Sequence, residues 1–406
     1  MMMSRTRSSD AALGGPEEDL TSSFAPFTDA VFGSLRRADQ RRWAHAYVEA
    51  LLTTPGKKSV RRLAQTVSTS ATAVQSLRQL VSLSPWDWDA VLGALTQWAE
   101  RYGPDPVCAI GRAIVPKRGE SSVGVHRYFD LTSGRTLQGQ LGLGAFMCFG
   151  PVQVPVGWRL HLPMPWTEDE RLRRRARIPE TMPYRPMWAQ ALQLVDALGA
   201  RPGGMSATVV ADMSSDPDVA LLTHGLGRRG RDFVMAVPPS LTVLPVGEGE
   251  PTTAARLVAR AGTALSSPET VVVTAPDGSR RTTRTRSGLV HLSGKQRGPV
   301  GPPHRLFVEV LPASRPRHLW VTSLTQHDLG SVASLAALAS GTASSVESME
   351  RDFGLLDFEG RSLPGWYHHM VLVSAAYTYD RLARRPPAEE RRPGSGAERE
   401  GRGKDI

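Results

Sequence analysis

Over the first hundred residues apolar side chains recur at a helical spacing. Trp43, Tyr47, Val48 and Leu51 fall at i, i+4, i+5 and i+8, one face of a helix predicted between Phe27 and about Leu52. The sequence TTPGKKS (53–59) breaks it, and further short helices follow to about Arg101. In the last of these Asp87 is the expected N-cap, and Leu92, Leu95 and Trp98 form the buried stripe. The pattern then changes to short apolar runs: VCAI (107–110), SVGVHRYFDL (122–131), QLGLGAFMCFG (140–150) and VPVGWRLHLP (154–163) read as successive strands. An Arg-dense segment, a helix over 187–198, the run SATVVAD (206–212), a helix over 217–225 and a strand, DFVMAV (232–237), come next. This order predicts an α/β arrangement, a mixed sheet with covering helices. Residues 238–330 interrupt it with TVVVTA (270–275) and HRLFVEVL (304–311), separated by Arg, Gly and Pro, and read as a β-rich insertion. Helical spacing returns over 332–353 and 365–385.

The expected division is therefore a disordered N-terminus (1–26), a helical domain (27–103), a first core part (104–237), the insertion (238–330), C-terminal core helices (331–385) and a disordered tail (386–406). Hydrophobic residues make up 40% of the 406, enough to bury a sizeable core. No uncharged apolar run approaches the roughly 20 residues that span a bilayer, and the N-terminus lacks a signal-like apolar stretch, so a cytoplasmic protein without a membrane is expected. Cys108 and Cys148 lie in strand-like runs with no metal spacing and are expected to be small buried hydrophobes.

Charge changes the picture more. A net charge of +10 makes nucleic acid the first partner to consider, because Lys and Arg neutralise phosphates and release counterions. Arg171, Arg173, Arg174, Arg175 and Arg177 form the densest basic segment. Lys57, Lys58, Arg61, Arg62 and Arg78 form a second candidate patch in the helical domain. A GC-rich genome would give the same excess of Arg over Lys. Asp212 stands at the carboxyl end of a predicted buried strand, where open α/β sheets place their sites, and is equally readable as a helix cap beside Asp216 and Asp218. Glu350 lies near the end of a predicted helix, where a solvated face is the plain alternative.

Several stretches, in order, resemble the insertion sequence 701 family of bacterial DDE-type transposases. They are VQSLRQLVSLSPWDWDAV (74–91), KRGESSVGVHRYF (117–129), LHLPMPWTEDERLRRRARIPE (160–180), VVADMSSDPDVALLTHGLGRRGRDFVMAV (209–237), SMERDF (348–353) and GWYHHMVLVSAA (365–376). The resemblance implies a ribonuclease-H-like fold and phosphoryl transfer on double-stranded DNA by two Mg²⁺ ions held between two Asp and one Glu. It also implies assembly as a homodimer on paired DNA ends. Two divalent ions about 4 Å apart would activate the attacking oxygen and stabilise the leaving one. The second family Asp falls on Asp212 and the Glu on Glu350. Counting back from Lys117-Arg118-Gly119, the first falls on Gly111, followed by Arg112. The first carboxylate is missing, and Arg112 is expected to bring a positive charge near the site unless its side chain points away. Glu120 and Asp130 are conceivable substitutes, whereas Asp105 stands at the wrong end of the strand. The family's Gly-Trp-x-Arg-His pattern becomes Gly365-Trp366-Tyr367-His368-His369, and Glu347 is near a position that usually holds Trp.

The expectation is a transposase-like, DNA-binding, nucleoid-associated protein without strand-transfer activity. The alternatives are an active transposase with a substitute ligand and Mg²⁺, and a protein–protein scaffold with no affinity for DNA.

Overall fold

The computed structural model describes residues 16–103, 107–130, 134–201, 207–247, 250–259, 265–292, 301–310 and 318–383. The expected disordered tail (386–406), residues 1–15 and Asp105 lie outside them. Five helices come first: α1 (Pro16–Phe32), α2 (Ala38–Thr53), α3 (Val60–Val67), α4 (Ala73–Ser82) and α5 (Trp88–Glu100). Asp87 caps α5, its Oδ1 accepting from the backbone N–H groups of Asp89 and Ala90. The start of α1 corrects the expectation of disorder through residue 26. Phe24 and Phe27 are buried, with their ring centroids 5.0 and 5.1 Å from that of Tyr379. Their partner lies more than 350 positions away in sequence, so no local pattern marks them as core.

The sheet begins with β1 (Val107–Pro116), β2 (His126–Asp130), β3 (Arg135–Phe149) and β4 (Val152–Leu160), all paired antiparallel through β3. Three helices follow, α6 (Met164–Glu168), α7 (Glu170–Ala176) and α8 (Met187–Gly199). Then β5 (Val209–Asp212) lies parallel to β1, α9 (Val219–Gly227) crosses over, and β6 (Phe233–Val237) lies parallel to β5. An antiparallel meander extended by parallel strands with covering helices is the ribonuclease-H-like arrangement that the resemblance implies.

The next segment contains β7 (Thr242–Pro245), β8 (Thr252–Thr253), α10 (Ala254–Ala259), β9 (Glu269–Thr274), β10 (Arg280–Leu292), β11 (His304–Glu309) and β12 (Leu319–Thr322). These strands continue the core sheet, because β12 pairs antiparallel with β6 and the order runs β3-β1-β5-β6-β12-β11-β10. The strand β10, RRTTRTRSGLVHL, has too many cations to read as a strand. It is held by three neighbours, β7, β9 and β11, rather than by an apolar face of its own.

The chain ends with α11 (Leu329–Asp352), a 3-10 turn (Leu355–Asp357) and α12 (Leu363–Thr378), which closes in a π-helical turn (Tyr379–Ala383). By length and composition α11 could cross a bilayer, but Val332, Thr342, Val346 and Met349 are buried along it as in a core helix. The last helix, α12, binds the sheet to the helical layer. Trp158 of β4 donates its indole N–H to Ser374 of α12 at 2.9 Å. His368 of α12 stacks on Trp86, with centroids 3.9 Å apart, and its two ring nitrogens face the carbonyls of Val81 and Trp86. Cys108 and Cys148 are both buried, and burial pushes the Cys108 thiol up to about 12.

Three histidines are held neutral by the fold. Burial pushes His161, His304 and His369 each down to about 4, with a nearby His adding to the effect for the first two. The unfolded chain therefore binds more protons than the native state below the ordinary His value of about 6.5. Stability is full above that value and falls as pH drops toward 4, at up to ~1.4 kcal/mol per pH unit for each fully shielded ring. We expect urea unfolding to show a loss of a few kcal/mol between about pH 6.5 and 4.5. An unchanged midpoint across that window would mean that these rings are not held neutral.

Candidate functional site

The register of the central strands fixes the geometry. Ile110 pairs with Ala211 across the parallel β1–β5 ladder, so Gly111 lies beside Asp212. Asp212 in turn pairs with Ala236 of β6. Registered neighbours face the same way, so positions 111 and 212 share one face of the sheet. That face is the one α11 covers. A Cβ on residue 111 would lie 2.7 Å from the Cβ of Thr342 and 2.9 Å from its Oγ1. Strand and helix thus approach closely at Gly111, and the missing side chain is what lets them do so. Thr342 is buried, and its hydroxyl donates to the carbonyl of Ala339.

Asp212 is about half exposed. Its Oδ1 accepts from the backbone N–H and hydroxyl of Ser214, at 3.0 and 2.6 Å, and its Oδ2 lies 3.9 Å from Nδ1 of His318. Neither Ser214 nor His318 carries a signal in the sequence. His318 comes close only because β12 returns to pair with β6.

Glu350 lies eight residues after Thr342 on α11, about 12 Å further along the helix axis. Its direction can be read from Gly341, which abuts Gln153 of β4. Nine residues later, about two and a half turns, Glu350 lies on the opposite side of the helix from Gly341. Asp212 and Glu350 therefore share one side of the sheet, while the residue packed on Gly111 is Thr342. The Glu350 carboxyl is held above its ordinary value, first by burial and then by Glu347.

Arg112 takes the second of the two orientations that the sequence allows. Adjacent strand residues face opposite sides, so its guanidinium leaves the α11 face. It donates to the Ser215 hydroxyl at 2.9 Å and lies 3.6 Å from Asp216 Oδ2. Its charge is paired there with the Asp216 carboxylate. Asp216 also accepts from the backbone N–H of Asp218 and is buried. Of the conceivable substitutes, Glu120 is exposed in the turn after β1, and the Asp130 side chain lies outside the described residues.

Two Mg²⁺ ions would need converging oxygen ligands. Among the described residues no group of three or more His, Cys, Asp or Glu side chains converges on a metal-sized space. Position 111 supplies no donor, and Thr342 fills the space where a side chain there would go. These residues do not fit the two-metal arrangement.

The basic segment is divided by its helix. Arg171, Arg174 and Arg175 fall at i, i+3 and i+4 on α7 and share one exposed face. Arg174 pairs with Glu170 at 2.8 Å, and Arg175 lies over the Trp166 ring. Arg173 and Arg177 are committed elsewhere. The first donates to the carbonyls of Thr167 and Pro179, the second to Ser82 and Ser362. Arg177 also ends α7 in the left-handed conformation, φ 54°. In the second patch Lys57, Arg61, Arg62 and Arg78 are exposed. Lys58 is not: it is buried, its amine donates to Thr54 and its N–H to Asp357, so it joins α3 to the turn after α11. His368 and His369 are likewise buried structural residues.

The family model for the DDE superfamily endonucleases matches residues 30–291, well over half of the chain, and the protein belongs to that family. Gly111 and Asp212 lie inside the match and Glu350 beyond it. A solved piggyBac transposase synaptic complex with hairpin DNA is similar at 11% identity and a TM-score of 0.41, over 90% of this chain and 79% of that one. No curated protein matches the sequence.

Proposed function

We propose that this member of the DDE superfamily binds double-stranded DNA and carries out no strand transfer. One observation carries the reading: Gly111, beside Asp212, is filled in by Thr342 at a distance that admits no further side chain. A decayed catalytic site with only the ligand lost would leave a gap there. Here the helix has closed on the strand, which makes the position part of the core. Membership in a family of DNA endonucleases supports DNA as the partner. So do the net charge of +10 and the exposed Arg face of α7. The Mg²⁺ chemistry implied by the resemblance to insertion sequence 701 transposases is proposed to be absent, and Asp212 and Glu350 to be remnants of it.

Incubation with supercoiled and linear DNA in 10-fold steps of Mg²⁺ or Mn²⁺ tests this reading. The expected result is binding without nicking or joining, with affinity falling steeply with salt. Metal-dependent nicking that disappears in Asp212→Ala would show a working site and defeat the proposal.

A further inference from the structure

We propose that the exposed face of the β9–β10 ribbon, on the side of the sheet turned away from Asp212, is a further contact surface for the duplex DNA backbone; this rests on the DNA-binding reading above. Strand β10 carries four arginines within seven residues, Arg280, Arg281, Arg284 and Arg286, a density that like-charge repulsion disfavours in a sheet. Two of them are committed to the fold. Arg281 pairs with both carboxylate oxygens of Glu309 on β11, at 3.0 and 2.5 Å. Arg286 donates to the carbonyls of Ser266 and Val258. Arg280 and Arg284 are exposed, and among the described residues neither guanidinium has a hydrogen-bond or ion-pair partner.

Register settles which way these two point. Residues paired across a ladder face the same side. The side of Asp212 can be followed through Ala236 of β6, Trp320 of β12 and Phe307 of β11 to Ser287 of β10. Alternation along β10 puts Arg281, Thr283 and Thr285 on that side too, opposite Val273, Val271 and Glu269 of β9. Thr283, Thr285 and Val273 are buried there, where α11 packs on β9. Glu269 and Glu309, the only carboxylates of β9, β10 and β11, fall on that side as well. Arg280 and Arg284 therefore project from the opposite side, with no carboxylate of these strands to compete. Each is registered against an exposed threonine of β9, Thr274 and Thr270, and Thr282 is exposed between them. A guanidinium beside a hydroxyl suits a phosphate, and here the pair occurs twice. Four residues of strand separate the two arginines by about 13 Å, close to the ~12 Å width of the major groove. One guanidinium thus reaches each of the two backbones that border the groove. DNA held there lies across the sheet from Asp212, so this contact serves binding and not cleavage.

The test measures binding of one duplex over a series of salt concentrations. Arg280→Ala combined with Arg284→Ala should lower the slope of log affinity against log salt by about 1.8, two contacts at roughly 0.9 each. The melting temperature should not change, because both side chains are exposed and unpaired. Arg281→Ala removes the same charge from the other side of the ribbon and should leave the slope nearly unchanged. Position is read separately. Thr282→Cys, with iron-EDTA attached to the introduced thiol, should cut the bound duplex on both strands; Cys108 and Cys148 are buried and stay unlabelled. A wild-type slope in the double variant, an equal loss per charge in Arg281→Ala, or no cutting from position 282 overturns the ribbon assignment and leaves the DNA-binding reading standing. Failure of the wild type to bind any duplex at low salt overturns both.

Discussion

Gly111→Asp, the substitution that restores the family's missing carboxylate, is expected to destabilise the protein by about 2–5 kcal/mol and to give no nuclease activity. Two costs add. The new Cβ would meet the Thr342 Cβ at 2.7 Å, and overpacking of this kind typically costs about 1–3 kcal/mol. The carboxylate beyond it would be pressed between strand and helix, with the Thr342 hydroxyl already donating to Ala339. Thr342→Ala gives only partial relief, because it removes Oγ1 and Cγ2 but leaves the nearest atom, Cβ, at 2.7 Å. Thr342→Gly removes it, at about 1 kcal/mol for a glycine inside α11. The double variant should therefore be more stable than the sum of the single effects predicts, by about 1–2 kcal/mol. Urea unfolding of the four proteins measures this coupling directly. If Gly111→Asp alone has wild-type stability, the closure seen between β1 and α11 is wrong.

How much of this was legible in the sequence depends on where each residue's partner lies. Most strands and helices from α2 to β6 could be read because alternation and helical spacing are local properties; α6 and α7, under the Arg-dense segment, could not. Gly111 was found by counting from Lys117-Arg118-Gly119, and a glycine amid VCAI and AIV already hints at a close neighbour. Thr342 could not be found, since one Thr in a helix of Ala and Ser looks like any other. The direction of Arg112 was left open for a different reason. Sequence adjacency suggested proximity to the site, whereas strand alternation sends it to Ser215 and Asp216 on the other face. Lys58 was placed with its exposed neighbours, yet it turns inward to Thr54 and Asp357, the latter 299 positions away. For Thr342, Arg112 and Lys58 alike, the missing information is a tertiary partner.

The division within the Arg cluster leads to the second large effect. Replacing Arg171, Arg174 and Arg175 together by Ala is expected to weaken DNA binding at least tenfold and to lower the slope of log affinity against log salt by about 2.7. That slope counts phosphates neutralised, at roughly 0.9 per contact on duplex DNA, so three lost contacts set its change whatever the DNA sequence. Stability should hardly alter, because the three side chains sit on an exposed face and the Arg174–Glu170 pair is a solvated one worth little. Replacing Arg173 and Arg177 should do the reverse. Their guanidinium groups tie α7 to Pro179, Ser82 and Ser362, so the melting temperature falls while the salt slope stays nearly the same until α7 itself detaches. Glu170→Gln frees Arg174 and should strengthen binding slightly. Anisotropy titrations from 50 mM salt upward, in tenths of a log unit, resolve these slopes. A triple variant with the wild-type slope would move the DNA off α7, leaving Lys57, Arg61 and Arg62 as the surface to test next.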